Sequence, residues 1–230
     1  MQENLPKHIG IILDGNGRWA KKKSMPRTYG HKIGSENVID IVRHADKRGI
    51  KYLSLYAFST ENWKRPFQEV NFLMKLISIF IDEKLKELND ANVKLNILGD
   101  ISTIGQKAKE SIEKALKKTE DNDGLNLNIA INYGGRDEIV KAVKEIIQSD
   151  IDIKDVNEEL ISKHLYTKNM PDPDLIIRTG GEIRISNFLI YQLAYSEFYF
   201  TDVFWPDFDT TEFDKALENY MNRFRRYGGL

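Results

Sequence analysis

The 230-residue sequence contains no cysteine. Disulfides, thiol nucleophiles and thiolate metal sites are therefore excluded. Only four histidines are present, too few to favour a zinc cluster. The net charge is −1, so no overall basic excess draws the chain onto nucleic acid. No apolar run reaches the roughly 18–20 residues of a membrane span, and the opening MQENLPK lacks the apolar stretch of a secretory leader. Together these absences predict a soluble, cytoplasmic protein. Proline is scarce too. The six prolines (Pro6, Pro26, Pro66, Pro171, Pro173 and Pro206) fall at junctions rather than inside patterned segments. No repeat, low-complexity tract or linker divides the chain, so residues 1–230 read as one domain.

What is present is an alternation of short β-rich runs with helical ones. Residues 8–14, 51–58, 93–99, 125–132, 174–179 and 197–201 read as strands. Residues 31–49, 67–90, 102–120, 136–148 and 210–226 read as helices, the first of them stopped by Gly49. This order predicts an α/β fold with a mostly parallel sheet flanked by helices. Ligands in such folds sit beyond the carboxyl ends of the strands. Asp14, Ser59 to Asn62, Asn132 to Arg136 and Arg178 to Gly181 all lie at such ends.

Three polar clusters follow. From Gly15 to Ser35 there is no acidic residue, while Arg18, Lys21, Lys22, Lys23, Arg27, His31 and Lys32 crowd the segment. Gly15 and Gly17 permit a tight turn with exposed N–H groups, and Arg27 and His31 lie near a helix start, which favours anions. The pattern suits a phosphate or diphosphate, although neither the dinucleotide nor the P-loop glycine spacing is present. A basic solvated loop is the plainer alternative. Asp14 fits a phosphate loop if Mg²⁺, which takes one or two carboxylates with phosphate oxygens and water, lies between them. The second cluster, FSTENWKRP (58–66), could be no more than an N-capped helix start. The third, IIRTGGEIRISN (176–187), sets Arg178, Arg184 and Ser186 around a Gly-Gly turn; it suits a second phosphate group or a salt-bridged surface turn. Finally, FLMKLISIFI (72–81) is apolar at eight of ten positions. It is a core or subunit-interface helix, or the wall of an apolar cavity. A cavity beside two phosphate sites would take a greasy chain with a diphosphate head.

In order along the chain, DGNGRWA, GHK, YAFSTENWKRP, INYGGRDEIV, IIRTGGEIRISNFLIYQLAYSEFYF and WPDF resemble the cis-prenyltransferase family, and the resemblance spans residues 8–229. It implies a parallel six-stranded sheet with an apolar tunnel beside it, assembled as a homodimer. It implies sequential condensation of isopentenyl diphosphate with an allylic diphosphate such as farnesyl diphosphate. The new double bonds would be Z and the product undecaprenyl diphosphate, a lipid-carrier precursor for cell-wall glycan synthesis. By that resemblance Asp14 is the essential carboxylate on Mg²⁺, and Glu197 is a second metal carboxylate, reached with help from dimer packing. Gly15, Asn16, Gly17, Arg18, Trp19, Arg27 and His31 would hold the allylic diphosphate. Ser59, Thr60, Glu61, Trp63 and Arg65 match further substrate contacts, and Asn62 matches the proposed proton acceptor. Arg178, Arg184, Ile185 and Ser186 match the isopentenyl diphosphate site, and Leu125 matches a position that closes the tunnel. Arg226 and Gly228 would cross to the neighbouring subunit. Ile183 departs from the pattern, because many relatives carry a polar residue there. The greasy product implies transient contact with the inner face of the membrane. Non-catalytic relatives tend to lack the first-loop aspartate and arginine. This chain keeps Asp14, Arg18, Arg178, Arg184 and Glu197, so catalysis is expected.

Overall fold

The computed structural model describes residues 5–223; Arg226 and Gly228 lie outside that range. Six strands form one sheet: β1 (His8–Ile12), β2 (Tyr52–Ser59), β3 (Lys94–Leu98), β4 (Asn126–Tyr133), β5 (Leu175–Arg178) and β6 (Glu197–Phe200). Every pairing is parallel, and the order is β3-β4-β2-β1-β5-β6. Seven α-helices accompany them: α1 (Asn16–Lys22), α2 (Arg27–Arg48), α3 (Phe67–Asp90), α4 (Gln106–Lys118), α5 (Gly135–Gln148), α6 (Glu158–His164) and α7 (Thr210–Met221).

The sheet separates two apolar layers, as the period-two alternation of its strands requires. Ile9, Ile11, Leu53, Leu55, Leu95, Leu127, Ile129 and Ile177 pack with residues of α2, α3, α4 and α7. Their neighbours Ile12, Tyr56, Leu98, Ala130 and Ile176 pack with Phe188, Leu189 and Leu193. Both faces are covered, so the strands read as near-continuous apolar runs.

Two helices were not legible as helices. Residues 16–22 form α1 behind Gly15, which takes the left-handed conformation at φ 105°. Residues 158–164 form α6, capped by the Asn157 side chain, which accepts from the Leu160 N–H. Helix α2 also begins four residues before the expected start, at Arg27. Gly30 and Gly34 face α1 from α2. A side chain at either would collide with Asn16, at its backbone carbonyl or its amide oxygen respectively. Two glycines one turn apart therefore allow α1 to lie against α2.

The order places the switch point between β1 and β5. From β1 the chain runs to β2 on one side, whereas β5 joins β1 on the other. A ligand crevice is expected at the carboxyl ends of those two strands.

Candidate active site

At that crevice Asp14 follows β1 and Arg178 ends β5. Arg178 Nη2 donates to Asp14 Oδ2 at 2.9 Å. Arg18, one turn into α1, approaches the same oxygen at 3.2 Å. The Gly15 N–H donates to Asp14 Oδ1 at 2.6 Å. Partial burial disfavours charge on Asp14, but the Arg178 hydrogen bond, the Arg18 and Arg178 charges and the Gly15 N–H outweigh it. The carboxyl is held below the usual aspartate range. It is ionised at neutral pH.

Thr179 fixes the backbone of the same turn. Its hydroxyl donates to the Asp14 carbonyl at 2.7 Å and accepts from the Asp14 N–H at 3.0 Å. Trp205 closes the other side. Its N–H donates to the Asp14 carbonyl at 3.0 Å, and its indole donates to the Gly34 carbonyl of α2 at 2.7 Å. Neither role was assigned from the sequence. WPDF stood out as a motif, but nothing in it showed that the indole ties the first loop to α2.

The 178–189 segment is similarly organised. Arg178 Nη1 donates to Ser186 Oγ at 2.8 Å and to the Arg184 carbonyl. Ser186, Asn187 and Leu189 all adopt positive φ, an uncommon state for side chains of this kind. Asn187 pins the segment: it donates to Glu61 at 2.8 Å and accepts from the Arg136 N–H at 2.9 Å. The second cluster is a short 3₁₀ turn, Thr60–Lys64, capped by Ser59. Asn62 Oδ1 accepts from the Ser59 N–H at 3.1 Å. The capping reading of this segment therefore holds, and it accounts for the acceptor oxygen of Asn62.

A cavity of about 350 Å³ opens from these groups. Asp14, Asn16, His31, Ser59, Asn62, Arg65, Arg178, Arg184 and Ser186 line its polar mouth. Val38, Leu55, Leu73, Leu76, Ile77, Phe80, Ile81 and Ile129 line the apolar part. The apolar helix is thus a cavity wall, through α3. Among the described residues, Asn16 Oδ1, His31 Nε2 and Arg178 Nε are buried at the mouth without a hydrogen-bond partner. Buried polar atoms are nearly always paired, so the mouth is built for a polar ligand. Burial, with the Arg65 and Arg27 charges, lowers the His31 pKa to about 4 against the opposing pull of Glu69. His31 is therefore neutral near pH 7.

Other expected residues lie off the lining. Gly15, Gly17 and Arg18 shape the loop, and Arg27 reaches it from outside; a side chain at Gly17 would meet the Arg27 guanidinium at 2.8 Å. Trp19 is buried and stacks on Tyr29 with ring centres 6.1 Å apart. Trp63 donates to Asn132 at 2.7 Å, and Thr60 donates to Asp137 at 3.1 Å. Ile185 packs in the second apolar layer, and Ile183 is exposed. Asn132, Gly134 and Asp137 line a different, more open depression. Leu125 is buried just before β4, four residues before Ile129 and on the same strand face, roughly 13 Å deeper along the sheet. Glu197 does not approach Asp14 within the chain. It pairs with Leu175, whereas Arg178 pairs with Phe200, which puts Glu197 roughly 10 Å back along the strand. Its carboxylate accepts from Arg223 Nη1 at 2.5 Å.

A divalent metal at the mouth would need hard oxygen donors. Among the described residues no group of three or more His, Asp or Glu side chains could hold one. Asp14 offers an ionised hard oxygen, which fits Mg²⁺ completed by phosphate oxygens and water.

A family model described as "Putative undecaprenyl diphosphate synthase" matches residues 12–228. An isoprenyl transferase of Clostridium tetani is 52% identical over 232 residues, covering 99% of this chain and 91% of that protein. Lavandulyl diphosphate synthase from Lavandula x intermedia, solved with dimethylallyl diphosphate, superposes with a TM-score of 0.95 at 34% identity, covering 99% of this chain and all of that one. A probable undecaprenyl diphosphate synthase from Campylobacter jejuni gives 0.82 at 35% identity, covering 98% and 100%. Strand order, crevice and relatives agree: the chain belongs to the cis-prenyltransferase family of undecaprenyl diphosphate synthases and is an isoprenyl transferase.

Proposed function

We propose that this enzyme is a Mg²⁺-dependent Z-prenyl chain elongase that extends farnesyl diphosphate with isopentenyl diphosphate units to undecaprenyl diphosphate. The observation that carries the reading is the cavity itself: a mouth of unpartnered polar atoms on an apolar pocket of about 350 Å³. Ligand pockets run from roughly 300 to 1,000 Å³, so this one suits the primer. The growing chain then extends toward Leu125, along the sheet face walled by α3. A related structure that holds dimethylallyl diphosphate, itself an allylic diphosphate, supports the head-group assignment.

In this reading Asp14, Asn16, Arg18, Arg27, His31 and Arg65 serve the allylic diphosphate, and Arg178, Arg184 and Ser186 serve isopentenyl diphosphate. The Asp14–Arg178 pair joins the two sites. When bound at Asp14, Mg²⁺ supplies Lewis-acid stabilisation to the departing diphosphate. Arginine side chains and the N–H groups at the start of α1 supply fixed positive charge to the same leaving group. Neutral His31 donates or accepts a hydrogen bond there without adding charge. Asn62 holds its acceptor oxygen against the Ser59 N–H. Its role is therefore to orient, and a diphosphate oxygen takes the proton lost from isopentenyl diphosphate. Ile183 is exposed, and its side chain has no group that could hydrogen-bond a substrate.

The functional unit is a homodimer of one-domain subunits. Exposed Tyr195, Ile147, Val140 and Val143, with β6 as an edge strand among the described residues, support an apolar contact with a second copy. That contact would bring Glu197 toward the partner's site, and sedimentation equilibrium reads the dimer itself. The enzyme works in the cytoplasm and touches the membrane through its product. No helix among the described residues is long and apolar enough to cross one.

The test is a pair of substitutions assayed with both substrates and Mg²⁺. Asp14→Ala should lower turnover by about 10²–10³-fold, the usual cost of losing one electrostatic stabiliser. Asn62→Ala should cost about tenfold, because a positioning group is lost but not the proton acceptor. Undiminished turnover in either variant removes that residue from the reaction.

A further inference from the structure

Glu69 belongs to none of the expected clusters, yet three of the allylic-site residues converge on it. It sits in the first turn of α3, and its side chain is only 12% exposed. Arg27 Nε donates to one carboxylate oxygen at 3.2 Å, and Arg27 Nη2 donates to the other at 3.2 Å. Arg65 Nη1 donates to Oε1 at 3.1 Å. His31 Nε2 lies 3.5 Å from the same oxygen without a hydrogen bond. We infer that Glu69 is the resident counter-anion of the allylic diphosphate site: it positions Arg27, Arg65 and His31 in the free enzyme and competes with the incoming diphosphate for them. This rests on the assignment of those three residues to the allylic diphosphate.

The physical reasons are simple. Two guanidiniums brought together beside the neutral His31 ring without an anion would repel, or lose their alignment to solvent. One carboxylate can hold them but cannot saturate them. Each guanidinium has five N–H donors, and only three bonds reach Glu69. A diphosphate carries more charge and more acceptor oxygens, so it wins the exchange. Glu69 remains nearby as a like charge and limits how tightly the diphosphate is held. An enzyme that must release or move a diphosphate after every condensation gains from that limit, because uniformly tight binding does not raise turnover. Glu69 also shares α3 with Leu73, Ile77 and Phe80 of the cavity wall. Exchange at the head group therefore acts on the helix that bounds the prenyl chain.

Calorimetric titration with inorganic diphosphate and Mg²⁺ tests this. Glu69→Gln keeps the size and hydrogen-bonding reach but removes the charge. Its Kd for diphosphate should fall roughly three- to tenfold. KM for the allylic substrate should fall with it, without a rise in kcat. Glu69→Ala should bind at least as tightly as the wild type. Unchanged or weaker binding in both variants would overturn the inference and leave Glu69 a purely aligning group. Arg65→Ala separates the two levels. If it leaves diphosphate affinity unchanged, the allylic-site assignment itself fails. If it weakens binding while the Glu69 variants do not tighten it, only the counter-anion role fails.

Discussion

At the scale of single residues, the most consequential contact joins groups 164 positions apart in sequence: Asp14 and Arg178. The sequence marked both as functional but placed them in separate clusters. Their meeting depends on β5 lying beside β1, which no local pattern encodes. His8 shows a related point. It is fully buried, with Nδ1 bonded to the Pro171 carbonyl at 2.7 Å and Nε2 bonded to Ser54 Oγ at 2.7 Å. A carbonyl only accepts, so Nδ1 carries the proton and Nε2 accepts from the Ser54 hydroxyl. Ser54 Oγ in turn accepts from Asn128 at 2.9 Å. Burial lowers the His8 pKa to about 4 against the weaker opposing effects of Pro171 and Asp174. The unfolded chain therefore binds a proton near pH 6.5 that the folded chain refuses until about pH 4. Stability should fall as pH drops through that window, by up to roughly 3 kcal/mol from His8. His31 should add a further loss in the same range, because its pKa is lowered in the same way. Urea unfolding at stepped pH should show a shallower acid slope for His8→Gln than for the wild type. Identical slopes would mean that His8 binds its proton equally well in the folded and unfolded chains.

At the scale of elements, the long patterned segments were legible and the short ones were not. FLMKLISIFI announced α3 because a helix apolar on most sides has to be buried or to line a cavity, and it does both. Helix α1 was hidden because its seven residues hold too little periodicity to register, and its flanking glycines signal a turn. That signal was half right: Gly15 makes the turn, and α1 starts immediately after it. Helix α6, also seven residues, failed for the same reason of length. The cavity is an element-level property, set by the face of β2 and β4 that carries Leu55 and Ile129 and by α3 opposite. Leu125 lies deeper on that face, beyond the lining of the present cavity. Chromatography of the products of Leu125→Ala should reveal chains longer than those of the wild type, because the deep end of the tunnel would be widened. Chains of wild-type length would place the end of the tunnel elsewhere.

At the scale of the whole molecule, an all-parallel sheet with helices on both faces fixes the site before any residue is named. The strand order turns at β1 and β5, and the polar clusters expected at strand ends meet there. One strand end did not join them. Asn132 and Gly134 line the adjoining depression, and the segment touches the site through the Gly135 and Arg136 N–H bonds to Asn187 and through the Trp63 bond to Asn132. Glu197 lies at the opposite end of its strand from Phe200, the residue paired with Arg178. The most direct test uses the intact wild-type enzyme. Purified protein is incubated with Mg²⁺, farnesyl diphosphate and radiolabelled isopentenyl diphosphate, and the extractable products are separated by length. The proposed function predicts labelled Z-polyprenyl diphosphates accumulating at undecaprenyl length. A folded protein that incorporates no label, or that stops after a single condensation, would contradict it.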